Sequence, residues 1–122
     1  MHEIIQKIKL YIKERGWSVL KNPGSIAKSI SIESAELLEI FQWEDLSLKK
    51  LKSDEKSLQK IKEELADVFI YATEMSISLD LDIEKIMLEK LEKNSKKYPA
   101  NLVKGNQEQY LKIKEKHRKN TQ

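Results

Sequence analysis

The chain has 122 residues, of which 39% are hydrophobic and 35% charged, with three glycines, two prolines and no cysteine. That length fits one domain and that composition a soluble, mostly helical one. The absence of cysteine excludes disulfides, thiolate nucleophiles and Cys-ligated zinc, and makes a reducing cytoplasm the expected compartment.

The formal charge of +3 belongs to the tail. From Lys104 onward six Lys/Arg stand against two acids, a net of +4, whereas the rest carries 17 bases and 18 acids. A core that binds a nucleic-acid polymer is therefore not expected. No run of about 18 apolar residues is present, so no membrane span is expected. The opening stretch MHEIIQKIKLYIKERGW carries Glu3 and no uninterrupted apolar segment, unlike a secretory signal. The two histidines, His2 and His117, lie near the ends, which leaves oxygen as the ligand for any internal metal. Oxygen ligands select Mg²⁺ or Mn²⁺, with Ca²⁺ ranked below them.

The first helix is predicted over residues 2–15, with Ile4, Ile5, Ile8, Tyr11 and Ile12 at core spacing and Gly16 as its stop. WSVLKNPGS is a loop marked by Asn-Pro-Gly. The second helix spans about 25–44, and DLSLKKLKSDE is a polar connection after it. Ser53 caps a third helix over about 54–79, and Asp80 or Asp82 caps a fourth over about 82–97, which Tyr98-Pro99 ends. The tail is a loose helix or a partly disordered segment. These elements specify an all-α, four-helix bundle-like fold, with residues 1–100 as the domain and 101–122 as a basic C-terminal tail.

Two oddities mark a site. In ESAELLEIFQW, Glu33 falls in the middle of the apolar stripe of Ile26, Ile30, Leu37 and Ile40, with Glu36 one turn later. In LADVFIYA, every side of the helix is apolar except at Asp67, with Glu64 one turn earlier on nearly the same face. A helix apolar all round is normally buried. Four core-facing carboxylates would repel one another and take up protons unless they shared one or more divalent cations. Carboxylates three residues apart lie on one face and can both reach one metal or bridge two.

The fourth helix complements them. Lys90, Asn94 and Lys97 continue the stripe of Ile83, Ile86 and Met87, so its inward face turns cationic. Lysines facing carboxylate-held Mg²⁺ form a phosphoryl-transfer constellation. Each signal alone has an ordinary explanation. An E-x-x-E is usually a solvated face, lysines in a last turn usually complement the helix dipole, and tryptophans usually pack cores or interfaces. Glu39 points about 120° from Glu33 on the helical wheel, and Glu63 could replace or assist Glu64. The conjunction of two acid pairs and a Lys/Asn row is what favours a site.

ESAELLEIFQW, followed by EELADVFIYATEMSISLDLDIEKIMLEKLEKNSKKYP, resembles the MazG-like all-α nucleoside triphosphate pyrophosphohydrolases, and within them the single-domain dCTP pyrophosphatase-like branch. The family signature is E-x-x-E, a variable gap, then E-x-x-D. The resemblance covers about residues 17–100 apart from the 44–60 connection. It implies Mg²⁺ ligation by Glu33, Glu36, Glu64 and Asp67. It implies contact of Lys90, Asn94 and Tyr98 with the triphosphate or sugar, Tyr71 near the deoxyribose, and stacking of the base on Trp17 and Trp43. It also implies assembly as a homodimer or homotetramer. The branch's loop histidine is absent, Lys21 and Asn22 standing in LKNPGS instead, and Ala35 replaces a glycine between the first two acids.

The activity expected is hydrolysis of a (deoxy)nucleoside triphosphate, of cytidine type or base-modified, to the monophosphate and pyrophosphate. Water activated by a carboxylate such as Glu36 attacks the α-phosphorus, and Lys90 and Lys97 stabilise the leaving group. The alternatives are a module that holds a nucleotide-Mg²⁺ complex without turnover and a helical interaction protein. An obligate homo-oligomer is also expected on area grounds, because four helices in about 100 residues cannot cover an all-round apolar helix and still leave a cleft open.

Overall fold

The computed structural model describes residues 1–44 and 46–121. Among them every regular element is a helix and there is no strand. The helices are α1 (His2–Glu14), α2 (Pro23–Glu39), α3 (Leu48–Ser53), α4 (Glu55–Ser78), α5 (Ile83–Lys97), α6 (Ala100–Val103) and α7 (Gln107–Thr121), with a 3₁₀ turn at Val19–Lys21. They divide into two compact units, residues 1–82 and 83–122.

In the first unit α2 lies along α4, and α1 and the 3₁₀ turn close over them. Ile8 and Ile12 of α1 and the fully buried Ile26 of α2 form its core. Two sharp stops define the ends of its framework. Gly16, at φ +64°, ends α1: its N–H bonds to the Lys13 carbonyl and that of Trp17 to the Ile12 carbonyl. Asp80, at φ +54°, ends α4 in the same way, with the Asp80 N–H on Ile77 and the Leu81 N–H on Ser76. Both are Schellman closures, in which a left-handed residue satisfies the last carbonyls. Asp80 therefore terminates α4 through its backbone. The Ser78 hydroxyl donates to the Leu20 carbonyl and ties the end of α4 to the 3₁₀ turn.

Several boundaries differ from the sequence expectation. α2 starts at Pro23, inside the expected Asn-Pro-Gly loop, because proline lacks only an N–H that the first turn leaves unpaired anyway. It ends at Glu39 and not near 44, where i→i+3 bonds from Phe41 to Leu38 and from Gln42 to Glu39 tighten the chain into a turn. The polar connection holds α3, capped by the Ser47 hydroxyl on the Lys50 N–H, while Asp45 lies outside the described residues. The cap of α4 is Asp54 and not Ser53, since the Asp54 carboxylate accepts from the Ser57 N–H at 3.2 Å and from the Ser57 hydroxyl at 2.8 Å.

α4 is not buried all round, as its apolar sequence suggested. Leu65 and Phe69 are exposed on the side away from Glu64 and Asp67.

In the second unit, Tyr98 after α5 packs on Tyr110 of α7 with ring centroids 4.7 Å apart. The tail is helical from Gln107 to Thr121. Ion pairs four residues apart, Glu108–Lys112 and Glu115–Lys119, both at 3.2 Å, brace it.

Candidate active site

Glu33 and Glu36 occupy successive turns of one face of α2, and Glu64 and Asp67 occupy successive turns of the facing side of α4. Side-by-side packing of these two helices brings the pairs together. One carboxylate oxygen each from Glu33, Glu64 and Asp67 lie within 4.8 Å of one another. Glu36 is within hydrogen-bonding reach of both Glu33 and Glu64.

This crowding perturbs the acids. Burial, the hydrogen bond to Glu36 and the charges of Glu36, Asp67 and Glu64 push the Glu33 carboxyl from its ordinary 4.5 to about 7. Glu64 is raised too, by burial first and then by its hydrogen bond to Glu36. Oε2 of Glu33 and Oε2 of Glu64 are buried with no hydrogen-bond partner among the described residues. Such orphaned oxygens are costly in any protein interior. A set of convergent, mutually repelling, partly unpaired carboxylate oxygens fits a hard divalent cation.

A cleft of about 410 Å³ runs from this cluster. Asp67, Ile70, Tyr71 and Glu74 of α4 form one wall, and Lys7, Ile8 and Tyr11 of α1 with Trp17, Val19 and Ser29 form the others. Tyr11 and Trp17 meet edge to face at 5.5 Å. The Arg15 guanidinium lies 3.9 Å from the centroid of the Tyr11 ring. Burial and the charges of Glu33, Glu74 and Asp67 raise the Tyr71 phenol, so it stays protonated and able to donate.

Of the residues expected at the site, Glu33, Glu36, Glu64 and Asp67 converge, and Trp17 and Tyr71 line the cleft beside Asp67. Trp43 stands 85% exposed in the turn after α2 and does not line that cleft. Lys90, Asn94, Lys97 and Tyr98 belong to the second unit. There Lys90 is exposed, Asn94 and Lys97 are half-buried, and the Lys97 ammonium lies 5.1 Å from the centroid of the Tyr98 ring. Glu39 and Glu63 are both exposed, and Glu63 accepts from Gln59 at 3.3 Å. Glu74 was missed. It sits seven residues beyond Asp67 on the same face of α4, a position that carrying the helical wheel past Ala72 identifies.

The model of the MazG-like family matches residues 28–113, which include all four carboxylates. The chain belongs to the MazG-like family. Over 96 residues this MazG-like chain is 28% identical to dCTP pyrophosphatase 1 of Rattus norvegicus, and over 104 residues 27% identical to dCTP pyrophosphatase 1 of Homo sapiens. Those alignments cover 78% and 84% of the chain but only 56% and 61% of the two relatives, so the chain spans little more than half their length. The crystal structure of a pyrophosphatase from Archaeoglobus fulgidus superposes with a TM-score of 0.72 at 37% identity. That match covers 81% of this chain and 92% of the archaeal one.

Proposed function

We propose that this MazG-like chain is a Mg²⁺-dependent nucleoside triphosphate pyrophosphohydrolase, with Mn²⁺ as a substitute metal. Its substrate is a deoxynucleotide of the dCTP type or a base-modified relative, and its products are the monophosphate and pyrophosphate. The observation that carries this reading is the approach of Glu33, Glu64 and Asp67 oxygens within 4.8 Å at the end of a cleft walled by aromatic rings. The names of the rat, human and archaeal proteins support the same reaction.

Glu33, Glu36, Glu64 and Asp67 would hold the cation. Bound there, it would neutralise their repulsion and polarise the phosphate oxygens. The chain's own groups do the rest. A water oxygen forms a bond to the α-phosphorus while the bond from that phosphorus to the α,β-bridging oxygen breaks, and pyrophosphate leaves. Glu36, in reach of both Glu33 and Glu64, takes the water's proton. Tyr71, held neutral, donates to the sugar. Trp17 stacks the base, and Trp43, outside the cleft of one chain, would add a second stacking face in the assembled protein. Lys90, Asn94 and Tyr98 of the second unit are the residues that the family resemblance implies for the triphosphate or sugar, and Lys97 continues their row in the sequence. Self-association as a homodimer or homotetramer is part of this reading. Phe69 is 54% exposed with Leu65 beside it on the outer face of α4, an apolar surface that a second copy would cover.

The test is to incubate the chain with each dNTP and Mg²⁺ or Mn²⁺ and resolve the products by anion exchange. Monophosphate with pyrophosphate in equal amounts is expected. Diphosphate with orthophosphate, or no turnover with any nucleotide, overturns the reading. Nucleotide bound without turnover would make the chain a holding module.

A further inference from the structure

We propose that Glu74 reads the exocyclic amino group of the substrate's base and makes the cleft select an amino-bearing base over its keto counterpart. This rests on the preceding assignment of the cleft to a nucleotide and adds the residue that sets its specificity.

Glu74 is only 5% exposed, and its Oε2 is buried with no hydrogen-bond partner among the described residues. The proposed hydrolysis does not use it. Yet it lines the same cleft as Asp67, Tyr71 and Trp17. A carboxyl sunk in an apolar wall with an oxygen unpaired is costly to keep. Lys7, the cation on the cleft's rim, is engaged by Glu3 at 3.2 Å and is largely solvated. A ligand that brings an N–H donor into the cleft would relieve the cost.

The register along α4 identifies the donor. Glu74 follows Asp67 by seven residues, two helical turns on one face, which is about 10 Å along the axis. Tyr71 lies between them. A nucleotide with its α-phosphate at the Asp67 end and its sugar at Tyr71 would bring its base to Glu74. The rings of Tyr11 and Trp17, set edge to face, and the side chains of Ile8, Val19 and Ile70 give the cleft aromatic and apolar walls. A carboxylate accepts hydrogen bonds, so it pairs with the N–H₂ of cytosine. Uracil and thymine place a carbonyl oxygen at that position. Burial also raises the Glu74 carboxyl above its ordinary range.

dCTP and dUTP differ only along this edge of the base, N4–H₂ and a bare N3 in cytosine against O4 and N3–H in uracil, so they are the probes. For the wild type, kcat/KM for dCTP should exceed that for dUTP by about tenfold or more, the effect of leaving a buried acceptor unpaired. Glu74→Leu, which removes the acceptor, and Glu74→Gln, whose amide can also donate to the uracil oxygen, should each lower that ratio at least tenfold. Circular dichroism would establish that both variants are folded. The proposal is overturned if the wild type does not discriminate, or if folded variants keep its ratio. Calorimetry with dCTP and dUTP in Ca²⁺ gives the same ratio for binding alone. A Glu74-dependent binding ratio without turnover would sink the hydrolase reading and retain the role of Glu74. Absence of both binding and turnover would sink both.

Discussion

Glu33 on α2 and Asp67 on α4 place carboxylate oxygens within 4.8 Å of each other across the seam of the two helices that pack most extensively in the first unit. Two like charges at that distance oppose the packing that holds them there. Ile26, fully buried two turns earlier on the same face of α2, secures the helix from which Glu33 projects. The apolar contact thus fixes an electrostatically unfavourable cluster, an arrangement typical of ligand sites held in place by the surrounding fold.

Metal-free stability should fall with rising pH. The Glu33 carboxyl titrates near 7 in the folded chain against an ordinary 4.5, so between those values the folded state binds more protons than the unfolded one. Stability is then fully favoured below 4.5 and declines as pH rises toward 7. Glu64 and Glu74, also raised, act in the same direction. Asp54 is lowered by its bonds to Ser57, so its contribution is lost only on acidification below that window. In chelator, thermal melts should give a higher Tm near pH 5 than near pH 8. A flat or rising Tm would contradict the crowding of these acids.

Glu33→Gln separates the electrostatic strain from the chemistry. The amide keeps the shape and removes one charge, so the metal-free variant should melt at or above the metal-free wild type. Mg²⁺ should raise the wild-type Tm by binding the folded state, and this rise should shrink in the variant. Activity should drop by about 100-fold or more, since even residues that only orient a metal ligand cost 10- to 100-fold. A metal-free variant that melts well below the wild type would show that the Glu33 carboxylate is a stabilising group.

Much of this site was legible along single helices. Glu33 within the stripe of Ile26, Ile30, Leu37 and Ile40, and Asp67 as the one polar position in LADVFIYA, follow from helical periodicity alone. That α2 and α4 would be the pair bringing them together is a tertiary fact, though two faces with the same anomaly pointed to it. Boundaries were harder. α2 ends at Glu39 through short turn bonds at Phe41 and Gln42, with no glycine or proline there to announce it. α3 was hidden in a Lys-rich stretch because its signal is one hydroxyl, that of Ser47. The exposure of Phe69 could not be read from composition, since an apolar face looks the same whether its own chain or another copy covers it. Glu74 lay two residues past the segment that drew notice, in a helix whose apolar run had already ended.

Phe69→Glu should test what covers the outer face of α4. Phe69 is 54% exposed and Leu65 lies one turn before it, so a charge there should leave the single-chain fold intact. Sedimentation of the wild type at micromolar concentration should show a dimer or tetramer, and the variant should shift toward monomer with unchanged helicity. If binding of nucleotide needs the assembly, the variant's KM should rise as well. A wild type that sediments as an active monomer would remove self-association from the mechanism.

The tryptophans offer the most direct view of the base. Trp17 is 53% exposed at the cleft beside Tyr11, so truncation there should cost less than the 3–5 kcal/mol of a buried aromatic. Trp17→Phe should leave the fold intact and raise KM more than it lowers kcat, because only part of a stacking energy of about 1–3 kcal/mol is lost. Trp43 is 85% exposed, so its emission should respond to nucleotide only if another surface closes over it. In a Trp43→Phe background Trp17 is the sole indole, and dCTP added with Ca²⁺ should quench its fluorescence in a saturable way. The reciprocal Trp17→Phe background reports Trp43 alone. Quenching confined to Trp17 would place the base in the cleft of one chain, whereas quenching of both would mean that Trp43 reaches the base in the assembled protein. Unchanged emission from both at saturating nucleotide, with binding established by calorimetry, would return the tryptophans to a packing role and leave the carboxylate site standing without them.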